Sequence, residues 1–255
     1  MKNTPLIYVD HWSPMRILED NLINDKLSIL WKDLEKIDIK AILIVSAHWI
    51  SNWTYITTNT DLETIHDFYG FPDDLYDLNY PAKTSSFIID EVKEILPFVL
   101  EDSNYWLDHW AWTVLKKIFP DLKIPVVQMS IDWTLSSQDY FDIWKKLSIL
   151  REKWILIIWS WSIVHNLRDF SWDENIVFSW AKSFDEKIKK SVLENDFESI
   201  VNYEKIEDYK KSVPSFDHFV PLLYILWATF KDEKLTYFYE NISNGSLTNN
   251  IIISK

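Results

Sequence analysis

The chain has 255 residues, 47% of them hydrophobic, and a formal net charge of −13. With no cluster of Lys and Arg, that balance argues against nucleic acid and anionic membranes as partners. The absence of cysteine excludes disulfides, thiolate metal sites, iron–sulfur clusters and a Cys nucleophile, so any metal must be held by His, Asp or Glu.

Short apolar runs at residues 6–9, 41–45, 124–131 and 154–160 read as buried strands, with weaker strand signals at 55–58 and 98–100. Helical periodicity predicts helices at 17–37, 85–95, 112–118, 138–151, 179–193 and 219–230. Residues 235–239 and 247–253 read as a closing pair of strands. Strands alternating with helices imply an α/β sandwich with a mostly parallel or mixed central sheet flanked by helices. No repeat, linker or low-complexity tract divides the chain, so a single domain over 1–255 is expected. No charged n-region with a long apolar run opens it, and no apolar stretch is long enough to span a bilayer. The expected setting is the cytoplasm.

Residues 66–100 carry Pro72, Pro81 and Pro97 and open on an aromatic, polar stretch. A long ordered loop is expected there, and such loops are more often functional than incidental.

Glycine and tryptophan are inverted. An average chain is about 7% glycine, or about 18 residues at this length; this one has 2 glycines and 15 tryptophans. Trp12, Trp110, Trp159 and Trp161 stand at apparent turns and close approaches, where a residue without a side chain and tolerant of positive φ is called for. The pattern is what a gene that uses UGA for glycine gives when UGA is read as tryptophan; the alternative is a naturally tryptophan-rich protein.

Six histidines stand out. His11 follows the strand at 6–9, His48 the strand at 41–45, and His165 the strand at 154–160. In open α/β sheets, ligands bind beyond the carboxyl ends of strands, so these three are candidates for one metal site. His218 precedes the helix at 219–230 and is a candidate for closing it. A lone histidine at a strand end is more often a structural hydrogen-bonder; three in equivalent places favour a site.

With glycine restored, residues 11–15 read H-G-S-P-M, 107–112 read L-D-H-G-A-W and 160–168 read S-G-S-I-V-H-N-L-R. Ser46-Ala47-His48-Trp49 and the stretch Thr64-Ile65-His66-Asp67-Phe68-Tyr69-Gly70-Phe71-Pro72 stand as written. In this order the motifs resemble the class III extradiol ring-cleaving dioxygenases, in the branch similar to 4,5-DOPA dioxygenase. The resemblance runs from residue 11 to about residue 228. It places family tryptophans at Trp49, Trp112 and Trp180, and family glycines at Trp12, Trp53, Trp106, Trp110, Trp144, Trp154, Trp159, Trp161 and Trp227. Trp31, Trp133 and Trp172 are unassigned.

The resemblance implies His11, His48 and His218 as metal ligands, with His165 as a second-sphere acid/base or a fourth ligand. It implies a substrate-side hydrogen-bonding role for His109. Relatives with a glutamate as third ligand form the 2-His-1-carboxylate set of non-haem Fe(II) oxygenases; this chain offers a histidine, which Zn(II) suits equally. Fe(II) is the expected catalytic metal, with Zn(II) able to take the same site. The implied partners are a small aromatic diol and dioxygen, with a homo-oligomeric state left open. His66 is expected to shape the pocket mouth, and Phe68, Tyr69 and Phe71 to stack on a flat ring or simply pack the loop. Arg168 is a candidate for attracting a substrate carboxylate or a structural ion-pair partner. Two other functions fit the same ligands: a zinc-dependent hydrolase, and a non-catalytic metal-binding interaction protein.

Overall fold

The structure is a computed structural model and describes residues 3–11, 13–121, 123–215 and 219–255. In chain order its main strands are β1 (Leu6–Asp10), β2 (Ala41–Ser51), β3 (Tyr55–Thr57), β4 (Leu100–Asp102), β5 (Val126–Asp132), β6 (Ile155–Trp161), β7 (Leu235–Tyr239) and β8 (Ile251–Ser254). Its main helices are α1 (Leu22–Leu34), α2 (Ser86–Ile95), α3 (His109–Ile118), α4 (Ser137–Leu147), α5 (Ser179–Glu194) and α6 (Val220–Trp227). The fold is α/β with a large mixed sheet flanked by helices, as the sequence implies. Contacts between Cα atoms divide the chain into two compact units.

The first unit comprises Ser13–Ser136, Ile149–Ser160 and the short stretch before β1. Its strands run in the order β4-β3-β5-β2-β6. β2 lies parallel to β5 on one side, with Ile42 opposite Val126, and parallel to β6 on the other, with Ile42 opposite Leu156. β3 pairs parallel with β4 and meets β5 antiparallel at Ile56 and Met129. Every residue of β5 and β6 is buried. β6 therefore reads as a nearly continuous apolar run, whereas β5 buries Gln128, Ser130 and Asp132 at alternate positions. Helix α1 buries Ile23, Leu27, Leu30 and Leu34, a three-to-four-residue stripe. Each such side chain contributes roughly 1.5–3 kcal/mol on burial.

The helix expected over 17–37 is two elements. Residues Pro14–Leu18 form a 3-10 turn, and α1 starts afresh at Leu22. The Asn21 side chain caps α1 by accepting from the Asn24 N–H at 3.0 Å, while the Asn24 side chain donates to the Glu19 carbonyl at 2.8 Å. Those two amides end one element and begin the next. The helix expected over 138–151 likewise stops at Leu147, and a 3-10 stretch, Ser148–Lys153, leads into β6.

The second unit comprises Leu6–Trp12, Ser137–Ser148 and Trp161–Lys255. In it β8 runs antiparallel to both β1 and β7, with Ile252 facing Tyr8 on one side and Tyr237 on the other. The closing pair of strands expected near the C-terminus is therefore present. Trp144 of α4 stacks on Tyr224 of α6, with ring centroids 4.9 Å apart and planes at 21°. α5 ends on Asn195 at φ 55, a left-handed cap that asparagine tolerates.

Candidate metal centre and active site

The site of the first unit is built by β2, the loop after β3 and the start of α3. β2 pairs with β5 over Ile42–Val45, and pairs again only at Ile50–Ser51, with the register shifting between. The sequence places His48 beyond the end of a strand at Val45. The strand instead continues to Ser51, and His48 lies in the register break. Such breaks re-aim a side chain, and His48 is partly exposed where its neighbours in β2 are buried.

Helix α3 begins at His109, three residues before the expected start, because Asp108 caps it. The Asp108 carboxylate accepts from the N–H groups of Trp110 and Ala111 at 3.1 and 3.0 Å. It also accepts from the Ser46 hydroxyl of β2 and the Gln128 amide of β5. Asp108 is fully buried. The cap thus clamps the N-terminus of α3 to two strands of the sheet, which fixes where His109 stands.

Asp67 joins the two histidines. Its Oδ2 accepts from His48 Nδ1 at 2.7 Å, and its Oδ1 from His109 Nδ1 at 2.7 Å and from the His109 backbone N–H at 3.0 Å. The imidazoles meet edge to face, 4.5 Å apart at 85°. Burial alone would push the Asp67 carboxyl up, but the hydrogen bonds from His109 and His48 outweigh it and hold it below the usual carboxylate range. An ionised Asp67 accepts only, so each Nδ1 carries its proton, and in the neutral imidazole the lone pair then lies on Nε2. That is how carboxylates orient metal-binding histidines. Among the described residues, His48, Asp67 and His109 have ligand atoms within 4.8 Å of one another, close enough to serve one ion. Two imidazoles with a carboxylate suit Fe(II) and Zn(II). His48 Nε2, however, accepts a hydrogen bond from the indole N–H of Trp110.

The other expected site residues fall as follows. His11 directly follows β1 in the second unit and is buried; its N–H donates to the Trp161 carbonyl at 2.6 Å. His165 follows β6 and bridges to Leu247, its N–H donating to the Ser212 carbonyl at 3.1 Å. His218 and Trp12 lie outside the described residues. His66 pins its loop, with Nε2 2.8 Å from the Leu78 carbonyl and its ring against Phe68 and Trp112. Phe68 is buried beneath His109, whereas Tyr69 is 91% exposed. Arg168 is exposed, and its N–H is capped by the Asn166 side chain at 2.9 Å.

Asp67 is the residue the sequence reading missed. It stands between His66 and Phe68 in an aromatic stretch. The available signal was an ionisable side chain in an aromatic stretch, which has to find donors if buried.

Residues 7–249 match the family described as the catalytic LigB subunit of aromatic ring-opening dioxygenase. The chain belongs to this family. It is 38% identical over 251 residues to a 4,5-DOPA dioxygenase extradiol of Escherichia coli K12, covering 96% of this chain and 92% of that one. A 4,5-DOPA dioxygenase extradiol of Mirabilis jalapa is 31% identical, covering 92% and 89% of the two chains. The crystal structure of an uncharacterized protein from Escherichia coli K12 superposes with a TM-score of 0.84 at 34% identity, covering 98% of this chain and 99% of that one. The protein is an extradiol ring-opening dioxygenase. The expected family, fold class and enzyme class hold, and the non-catalytic reading falls away. No helix among the described residues is long and apolar enough to cross a membrane.

Proposed function

We propose that this dioxygenase opens the ring of a small catechol similar to 4,5-DOPA, using Fe(II) held by histidines that include His48. The observation that carries this is the Asp67 carboxylate holding His48 and His109 by their Nδ1 atoms in a chain of this family. With both oxygens accepting from imidazole N–H groups, Asp67 serves to orient the two histidines. The choice of His11, His48, His165 and His218 as ligands rests on the motifs in which they stand. Because one family match runs through both units, they are read as one catalytic domain. The proposed setting is the cytoplasm.

Fe(II), when bound, would supply the one-electron chemistry that dioxygen needs and a Lewis acid for the diol oxygens. The chain supplies the rest. His109, with its proton fixed on Nδ1, offers Nε2 to a substrate hydroxyl and can take its proton. His165 is the second acid/base candidate. Phe68 and the loop pinned by His66 back His109 with apolar surface. In the reaction both oxygen atoms enter the product. The ring bond beside the diol breaks, one carbon becoming an aldehyde and the other a carboxylate, and the ring itself supplies the electrons.

The test is oxygen uptake by the iron-loaded protein on a panel of phenols. Ortho-diols should be consumed and their mono-methyl ethers should not. Uptake that ignores the ortho arrangement would overturn the reading. Zn(II) should bind without supporting uptake, since it has no accessible redox change.

A further inference from the structure

Five described residues other than Trp154 have positive φ: Gly70, Gly245, Asn195, Asp208 and Asn244. Glycine enters this region freely, and Asn and Asp tolerate it. Both glycines of the chain are placed there, and a Cβ on Gly245 would clash with the Phe178 ring. Trp154, at φ 62, is the exception. It makes the turn into β6, where its N–H donates to the Arg151 carbonyl and its carbonyl accepts from the Lys40 N–H. A bulky side chain in this conformation is a genuine outlier.

Two more tryptophans are misplaced for a different reason. Trp161 is fully buried, and its indole N–H finds no partner among the described residues, although buried tryptophans usually have one. Trp110 directs its indole N–H at His48 Nε2, the nitrogen that Asp67 leaves free for a metal. Its ring also lies 4.2 Å from that of His109. Trp112 shows what an accommodated tryptophan looks like in the same helix. It is fully buried, and its N–H donates to the Ile65 carbonyl at 2.9 Å.

We propose that the working protein carries glycine at positions 110, 154 and 161, its gene being read with UGA as glycine, and that glycine at 110 uncovers His48 Nε2. Three independent misfits—a strained backbone turn, an orphaned buried donor and a capped imidazole—have one remedy. UGA and the tryptophan codon differ in a single base, so one reassignment converts all three positions at once and leaves Trp112 in place. The chain's shortage of glycine has the same origin. The decoding part of the proposal does not depend on the catechol reading above.

Peptide mass spectrometry of the protein purified from the cells that carry its gene tests the decoding. Glycine is expected at 110, 154 and 161 and tryptophan at 112. Tryptophan at 110 or 154 would overturn the proposal. A titration with Zn(II) alone, read by calorimetry, tests the capping. Trp110→Gly should bind at least about tenfold tighter than the chain as written, the scale on which groups around a metal site act. Equal affinities in two proteins with matching circular dichroism would refute it. If the chain as written does not fold, two multiple variants are compared instead. One combines Trp110→Gly, Trp154→Gly and Trp161→Gly; the other has only Trp154→Gly and Trp161→Gly, keeping Trp110. The expectation is the same.

Discussion

Asp67 in the first unit and Asp185 in the second are both carboxylates drawn away from water, and they are driven in opposite directions. Asp185 is 7% exposed, and the donor it meets is the Asn250 side-chain amide at 3.0 Å. Burial pushes its pKa up to about 7, more than the Asn250 hydrogen bond lowers it, and Glu240 adds to the rise. Asp10, which accepts from the Asn250 N–H at 2.8 Å, is likewise raised to about 7 by burial. Asp67 is met by two imidazole N–H groups and a backbone N–H, and stays ionised. The lesson is that donors compete with burial: Asp67, the less buried group and met by imidazoles, keeps its charge, while Asp185, more deeply buried and met by a neutral amide, does not. The one that keeps it sits between two histidines and can orient them. The other makes the stability of its own unit depend on pH.

His48 is where this contrast is most open to refutation. His48→Ala should abolish metal uptake in the glycine-restored protein, measured by metal analysis after dialysis, and with it oxygen consumption. Full metal content in that variant would remove His48 from the site. Next in size is Asp67→Asn, which keeps the shape but removes the charge and one acceptor. Metal affinity should fall about 10–100-fold, and Asp67→Glu should restore more of it than Asn does. An unchanged affinity would reduce Asp67 to a loop contact.

Asp185 gives the third effect, and its sign is opposite to that of a salt-bridged acid. Its folded pKa, about 7, lies above the unfolded value of about 3.9. The folded state therefore holds the proton more tightly. Its contribution to stability is full below the unfolded pKa and is lost as pH rises through about 7. Urea unfolding should show the protein losing up to about 3 kcal/mol between pH 5 and pH 8 through this group. Asp185→Asn should flatten that slope. The smallest effect belongs to Tyr69, which is 91% exposed. Tyr69→Ala should change stability by no more than about 0.5 kcal/mol. A rise in KM without a change in kcat would show that Tyr69 touches substrate after all.

Much of the fold could be read from the chain because its strands are buried on both faces. β6 announces itself as a nearly unbroken apolar run, and the positions of His11 and His165 after β1 and β6 follow from the same kind of signal. His48 was misplaced within its strand because a register break is a property of two strands, visible only when β2 and β5 are paired. The early start of α3 was readable in principle: Asp108 is a good N-cap, and its partners Ser46 and Gln128 are what tertiary structure adds. The aromatic stretch around Asp67 hints at it, but its role depends on two histidines 19 residues before it and 42 after it, which only the fold brings together. The suspect tryptophans also divide. Positive φ explains Trp154 alone among those described; at Trp110 and Trp161 the difficulty lies in what the indole meets.

Central to this account is that the site puts both atoms of dioxygen into an ortho-diol. Turnover of a 4,5-DOPA-like catechol under isotopically labelled dioxygen, with the glycine-restored protein loaded with Fe(II), tests it by the mass of the product. Two labelled oxygens in a ring-opened product, one in the aldehyde before solvent exchange and one in the carboxylate, is the predicted result. A product labelled from water alone would contradict the claim and point to hydrolysis.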